Sequence, residues 1–174
     1  VSSAANFGGG GSCSPNNPGC RDDGASTGSA GGGYTTTGES SGAATGGGTY
    51  GSADLSKLFF GSGSGAAEPN TAGANGGGII VLATNTLTVS GSLASNGSNG
   101  GGSGYGDGDT AGGAGGSIYI VSPNLTVGSS LVTAAGGVGL MGIDGGSGRI
   151  RLDYSTLSGT TSPSAGYTNV LPKA

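Results

Sequence analysis

The densest set of hard oxygen donors in the sequence is Tyr105-Gly106-Asp107-Gly108-Asp109-Thr110. Alternating carboxylates on a glycine-rich loop are donors of the kind Ca²⁺ takes. An EF-hand loop closes on a Glu at its twelfth position, and position 12 from Asp107 is Ile118. Asp107 and Asp109 are therefore a weak calcium candidate beside the plainer reading of a solvated turn. As a glycosidase pair they lack a pocket that would raise one carboxyl's pKa. Cys13 and Cys20 frame Ser14-Pro15-Asn16-Asn17-Pro18-Gly19, a turn-rich spacer able to bring the sulfurs together. One disulfide closing a small loop is expected, beside the alternative of two free thiols in a reduced compartment; a metal site would need more ligands than this pair supplies. A disulfide implies an oxidising compartment outside the cytosol. Asn96-Gly97-Ser98 and Asn124-Leu125-Thr126 are N-glycosylation sequons, so Asn96 and Asn124 are candidate acceptors.

The residues that are missing restrict the chemistry further. The 174-residue chain has no His and no Trp. Serine or cysteine nucleophiles activated by His, and His-ligated zinc, are excluded. No set of nucleophile, base and orienting group can be assembled, so an enzyme is not expected. Nine acids against five scattered bases give a net charge of −4, which is no footprint for nucleic acid. The longest apolar run, Gly78 to Ala83, is far short of the ~20 residues a membrane span needs. No cofactor is expected beyond the calcium candidate. Val1 is not a start Met, which suits a processed product or a fragment.

The elements that would carry these residues follow from a repeat. Ile80, Leu82, Leu87, Val89 and Leu93 recur as Ile118, Ile120, Leu125, Val127 and Leu131, offset by 38 residues. A partial copy, Ile150, Leu152 and Leu157, is offset by 32. The internal period is two, so the aliphatic set faces one side and the Tyr and Arg set the other. Short strands broken at Asn85 and Pro123-Asn124, with like residues returning in register, predict an all-β fold. The expectation is a glycine-rich β-solenoid, parallel β-helix-like, whose coils bury their inner faces jointly. The repeats span 80–93, 118–131 and 150–157 within a region 53–174, after a glycine-rich region 1–52 that holds the cysteine loop. The two regions read as one continuous domain.

Glycine supplies 45 residues, about a quarter of the chain against a usual ~7%. Runs of it read either as flexible loops or as extended polyglycine II-like tracts bonded laterally, since only Gly lets backbones approach so closely. Leu55, Leu58, Phe59 and Phe60 are the apolar cluster of the first half, read as a degenerate coil or a short helix N-capped by Asp54. Tyr119 and Tyr154 are expected to point outward and, with Val170 and Leu171 of the tail, to form candidate interface residues.

Thr49-Tyr50-Gly51-Ser52-Ala53-Asp54-Leu55-Ser56-Lys57-Leu58-Phe59-Phe60-Gly61-Ser62-Gly63, then a glycine tract, then Gly77-Gly78-Ile79-Ile80-Val81-Leu82, resembles the glycine-rich repeat, β-solenoid-like proteins of bacterial cell surfaces. Gly148 to Thr160 resembles them as well. The resemblance covers roughly residues 46–162 and implies an extracellular, β-rich surface protein with no assigned activity. The functional expectation is a secreted structural protein, a subunit of an extracellular filament or matrix assembled into a homopolymer by head-to-tail β-solenoid stacking, a heterologous contact that does not close. The alternatives are an adhesin recognising surface glycans and an ice-binding solenoid. For the last, Thr88 and Thr126 match between copies and Ser158 shortens the ladder.

Overall fold

The computed structural model describes residues 29–41, 44–65, 73–101 and 110–172. Cys13, Cys20, Asp107 and Asp109 lie outside the described residues. Eight strands follow in chain order: β1 (Ile79–Ala83), β2 (Thr86–Thr88), β3 (Leu93–Ala94), β4 (Ser117–Val121), β5 (Asn124–Thr133), β6 (Arg149–Tyr154), β7 (Thr156–Ser162) and β8 (Tyr167–Val170). Each begins where a β-branched or aliphatic run with period two follows a glycine tract or a bend.

The strands build two sheets, and every strand pairing is parallel. The first has the order β1-β4-β6-β8; in the second, β5 is flanked by β2 and β3 on one side and β7 on the other. The aliphatic repeat sets the register. Ile80 pairs with Ile118 and Ile118 with Ile150; Leu82, Ile120 and Leu152 form the next column. In the second sheet Leu87, Leu125 and Leu157 align. Ile118, Ile120, Leu125, Val127, Val132, Ala134, Ile150 and Leu152 form one core, with Ile80, Leu87, Val89 and Leu93 partly buried against it.

The offset of 38 does not survive to its last position. Leu93 pairs with Val132, not with Leu131. A bulged stretch of β5, with Gly128 at φ +64° and Ser130 at φ +53°, shifts its register twice against β7 and takes its offset from the first copy from 38 at Thr126 to 39 at Val132. Val132 is therefore fully buried and Leu131 only partly.

The β-solenoid expected from the repeat is not what forms. Two separate sheets of parallel strands are present, they do not close into a coil, and strand accounts for only about 35% of the described residues. Helix among them amounts to one 3-10 turn, Leu140–Gly142. The polyglycine II-like tracts are corrected with it, because the described glycine-rich segments form no regular element. The physical reason is the composition between the strands: a glycine run has no side chain with which to line an interior. Its backbone groups must still be satisfied when buried, and here they bond from segment to segment.

Segment 110–116 shows how. It is buried throughout, and its backbone bonds to six other segments. Gly32 N–H donates to Gly112 O (3.1 Å) and Gly77 N–H to Ala114 O (2.8 Å). Ala114 N–H donates to Ser62 O (2.8 Å) and Gly113 N–H to Ser98 O (3.0 Å). Gly137 N–H donates to Gly113 O (2.8 Å), and Gly112 N–H to Ile143 O (3.0 Å). A Cβ at Gly113 would stand 2.1 Å from Asn75 O, so side chains are excluded there by neighbouring backbone.

Candidate functional site

The outward face of the first sheet carries the only ion pair among the described residues. β6 alternates Ile150 and Leu152 inward with Arg149, Arg151 and Asp153 outward. Arg151 binds Asp153 two residues on, through Nε to Oδ1 (2.9 Å) and Nη2 to Oδ2 (2.8 Å). The strand register sets Tyr119 and Tyr167 on either side of Arg151. The guanidinium carbon lies 4.5 Å from the Tyr119 ring centroid and 4.7 Å from that of Tyr167. Cation–π attraction on both sides holds the planar group. Tyr119 Oη donates to Asp153 Oδ2 (2.7 Å), completing a network around a carboxylate only 4% exposed.

The network fixes the charges. Hydrogen bonding to Arg151 holds the Asp153 carboxyl below the usual carboxylate range, although burial opposes it. The same bond raises the Arg151 pKa. Burial, and then the Asp153 carboxylate, push the Tyr119 phenol up.

Residues 50–60 lie as a strap across this face. Arg151 Nη1 donates to Asp54 O (2.5 Å) and Arg149 Nη2 to Tyr50 O (2.8 Å). Ser117 Oγ donates to Phe59 O (2.7 Å) and accepts from Phe59 N–H (3.3 Å). Tyr34, fully buried, stacks on Tyr50 at 4.6 Å, and Tyr50 meets Phe59 edge-on at 5.7 Å. Burial raises the pKa of Tyr34 and of Tyr50. The strap is neither a coil nor a helix. Asp54 Oδ1 accepts from Ser56 N–H (3.1 Å) and from Ser52 Oγ in a local turn, with Leu55 buried at φ +47°. The Ser52 bond lowers the Asp54 pKa.

The interface candidates separate. Tyr119 does face outward, but it is half-buried in the arginine network. Tyr154 does not: it shares the parity of Ile150 and Leu152 and packs against the core. Val170 is 69% exposed at the end of β8, and Leu171 follows it, donating its N–H to Tyr154 O (2.6 Å). Both sequon asparagines are exposed. Asn96 Oδ1 accepts from Ala135 N–H (2.9 Å), and Asn124 Oδ1 from Thr156 Oγ1 (3.2 Å). The Arg151–Asp153 pair was not anticipated, although opposite charges two apart on a strand share a face.

The outward face of the second sheet is a polar array. Thr86, Asn124 and Thr156 form one rank, and Thr88, Thr126 and Ser158 the next, all six exposed. Parallel pairing spaces neighbours in a rank by ~4.8 Å.

The two ends of the stack differ from both faces. Among the described residues, β1 pairs only with β4, β2 and β3 only with β5, β7 only with β5, and β8 only with β6. Each therefore has an edge that no described strand pairs. Val81 (51%), Leu157 (36%), Tyr167 (39%) and Val170 (69%) are the exposed large hydrophobic residues of the strands, and all four sit on these end strands. Phe60, 66% exposed, lies beside the start of β1, between Phe59, bonded to Ser117, and Gly61, bonded to Gly77.

Among the described residues no cluster of three or more His, Cys, Asp or Glu could hold a metal ion. No described helix is long and apolar enough to cross a membrane. No protein-family model, curated protein or solved structure matches the chain.

Proposed function

We propose that this is a secreted structural protein whose copies associate into an extracellular filament or matrix. One observation carries the reading: the exposed aliphatic and aromatic residues of the strands collect on the unpaired edge strands at the two ends of the stack. Unpaired strand edges template further pairing unless they are blunted by charge, Pro or a covering segment. Val81 on β1 and Val170 on β8 are neither charged nor covered among the described residues. The interior between the ends is held by backbone bonds and by the strap, which suits a mechanical role. The resemblance to glycine-rich surface proteins and the expected cysteine loop support a location outside the cell. Electron microscopy and sedimentation of the purified chain test it. Fibres or a sedimenting polymer are expected, while a monodisperse monomer at all concentrations overturns it.

A second reading rests on the six-residue polar array of the second sheet. A rigid rank of hydroxyl and amide groups suits an adhesin that holds a surface glycan. Retention on a glycan array by a monomer, lost in Thr126→Val, would favour that reading. Shaping of ice crystals by the monomer would favour an ice-binding face.

A further inference from the structure

We infer that the association is polar: β8 of one copy pairs in parallel along β1 of the next, continuing the register of the first sheet. This rests on the structural reading above and names its contact. The argument begins with the pairs already made. Val81 stands beside Tyr119, Tyr119 beside Arg151, and Arg151 beside Tyr167. One step repeated three times thus carries β1 to β4, to β6, to β8, always parallel. A fourth identical step lands on the place a second copy's β1 would occupy.

The two edges are complementary because they are opposite sides of one repeated step. In parallel pairing, the side of β1 facing away from β4 offers what the side of β8 facing β6 already uses. Only the side of β1 away from β4 is open among the described residues, and a second β1 offers that same side, so a two-fold β1–β1 contact does not continue the parallel register. The contact is heterologous, and heterologous contacts that do not close produce open filaments.

The side chains agree with the step. Continuing the register sets Tyr167 beside the next copy's Val81 on the outer face, two residues now 39% and 51% exposed. On the inner side Thr168 falls beside Leu82, and Gly166 beside Ile80. Gly166 places no side chain against Ile80. Phe60 flanks the β1 end and adds apolar surface to it. In the second sheet only three tiers are present, so the same step leaves an interval one strand wide between β7 and the next copy's β2. The contact runs through the first sheet.

The experiment uses two end-blocked variants of the full chain, Val81→Lys and Val170→Lys. Both positions are exposed, and an edge lysine opposes pairing. Each variant alone is expected to sediment as a monomer under conditions where the unaltered chain polymerises. An equimolar mixture is expected to give a species of twice the monomer mass and nothing larger, because the free β8 end of V81K meets the free β1 end of V170K. That dimer also shows that both variants are folded. Dimers of either variant alone would mean a like-with-like contact and overturn the inference. So would polymerisation of either variant at the unaltered rate, or a mixture that stays monomeric; in these cases self-association itself would stand. A monomeric unaltered chain removes the structural reading, and the inference with it.

Discussion

Asp153 joins two parts of the chain that are far apart in sequence. Its carboxylate orients Arg151, and Arg151 holds the Asp54 carbonyl of the strap. Removing one partner of a shielded pair leaves the other charge unsatisfied, which costs more than losing an exposed pair. Asp153→Asn is expected to lower stability by roughly 2–3 kcal/mol in denaturant unfolding, midway between those regimes. The pH dependence has a definite sign. The folded carboxyl titrates below its unfolded value, so its contribution is complete above the unfolded pKa of ~3.9. It drains as pH falls through the folded pKa, and D153N should flatten the acid limb of a stability–pH curve. An unchanged acid limb would remove Asp153 as its source. At this scale the sequence was partly readable. Period two put Arg149 and Arg151 outward correctly, but the same parity counts Tyr154 inward with Leu152, and the tyrosine packs on the core. Ser117 bonds to Phe59 and to the Tyr34 hydroxyl (2.8 Å), 58 and 83 positions away, distances no local pattern spans.

Strands and glycine segments obey different rules, and a pair of substitutions separates them. In β5 the bulge makes Val132 the buried residue. Val132→Ala should cost about 2 kcal/mol and Leu131→Ala under ~1, although Leu131 loses more carbon. Equal costs would mean the bulge does not set the register. Among the glycines, Gly113→Ala forces a methyl against Asn75 O and should cost ~3 kcal/mol or more, since backbone cannot yield as a side chain can. Gly78, whose added Cβ meets nothing within 4 Å, should accept Ala with little change. Thermal melts of the two variants check the contrast. The aliphatic columns were legible because matched spacing fixes register. The bulge was not, since Gly128 and Ser130 resemble any other small residues until their positive φ is seen. The coil was read too far: the repeat specifies the strands and leaves the path between them to segments without side chains.

For the whole molecule, the association proposed above would use the open sheet edges and leave the polar array of the second sheet in solvent. Asn124 sits on β5, paired on both sides with Thr86 and Thr156, so sugar there would leave the proposed end contact free, whereas Asn96 follows end strand β3 and its neighbour Ser95 donates to Gly78 beside the start of β1. N-glycan added enzymatically to an Asn96→Gln variant, and so to Asn124, should therefore leave the length distribution of the proposed polymer unchanged, as read by sedimentation.

The burial of segment 110–116 among other backbones also has a thermal consequence. Unfolding it hydrates amides, and amide hydration lowers the heat-capacity increment that apolar hydration raises. Calorimetry should return a value per residue below the ~12–15 cal/mol/K of ordinary domains. The stability curve is then shallow, and a chain cemented by peptide groups loses little of its hold as water cools toward freezing.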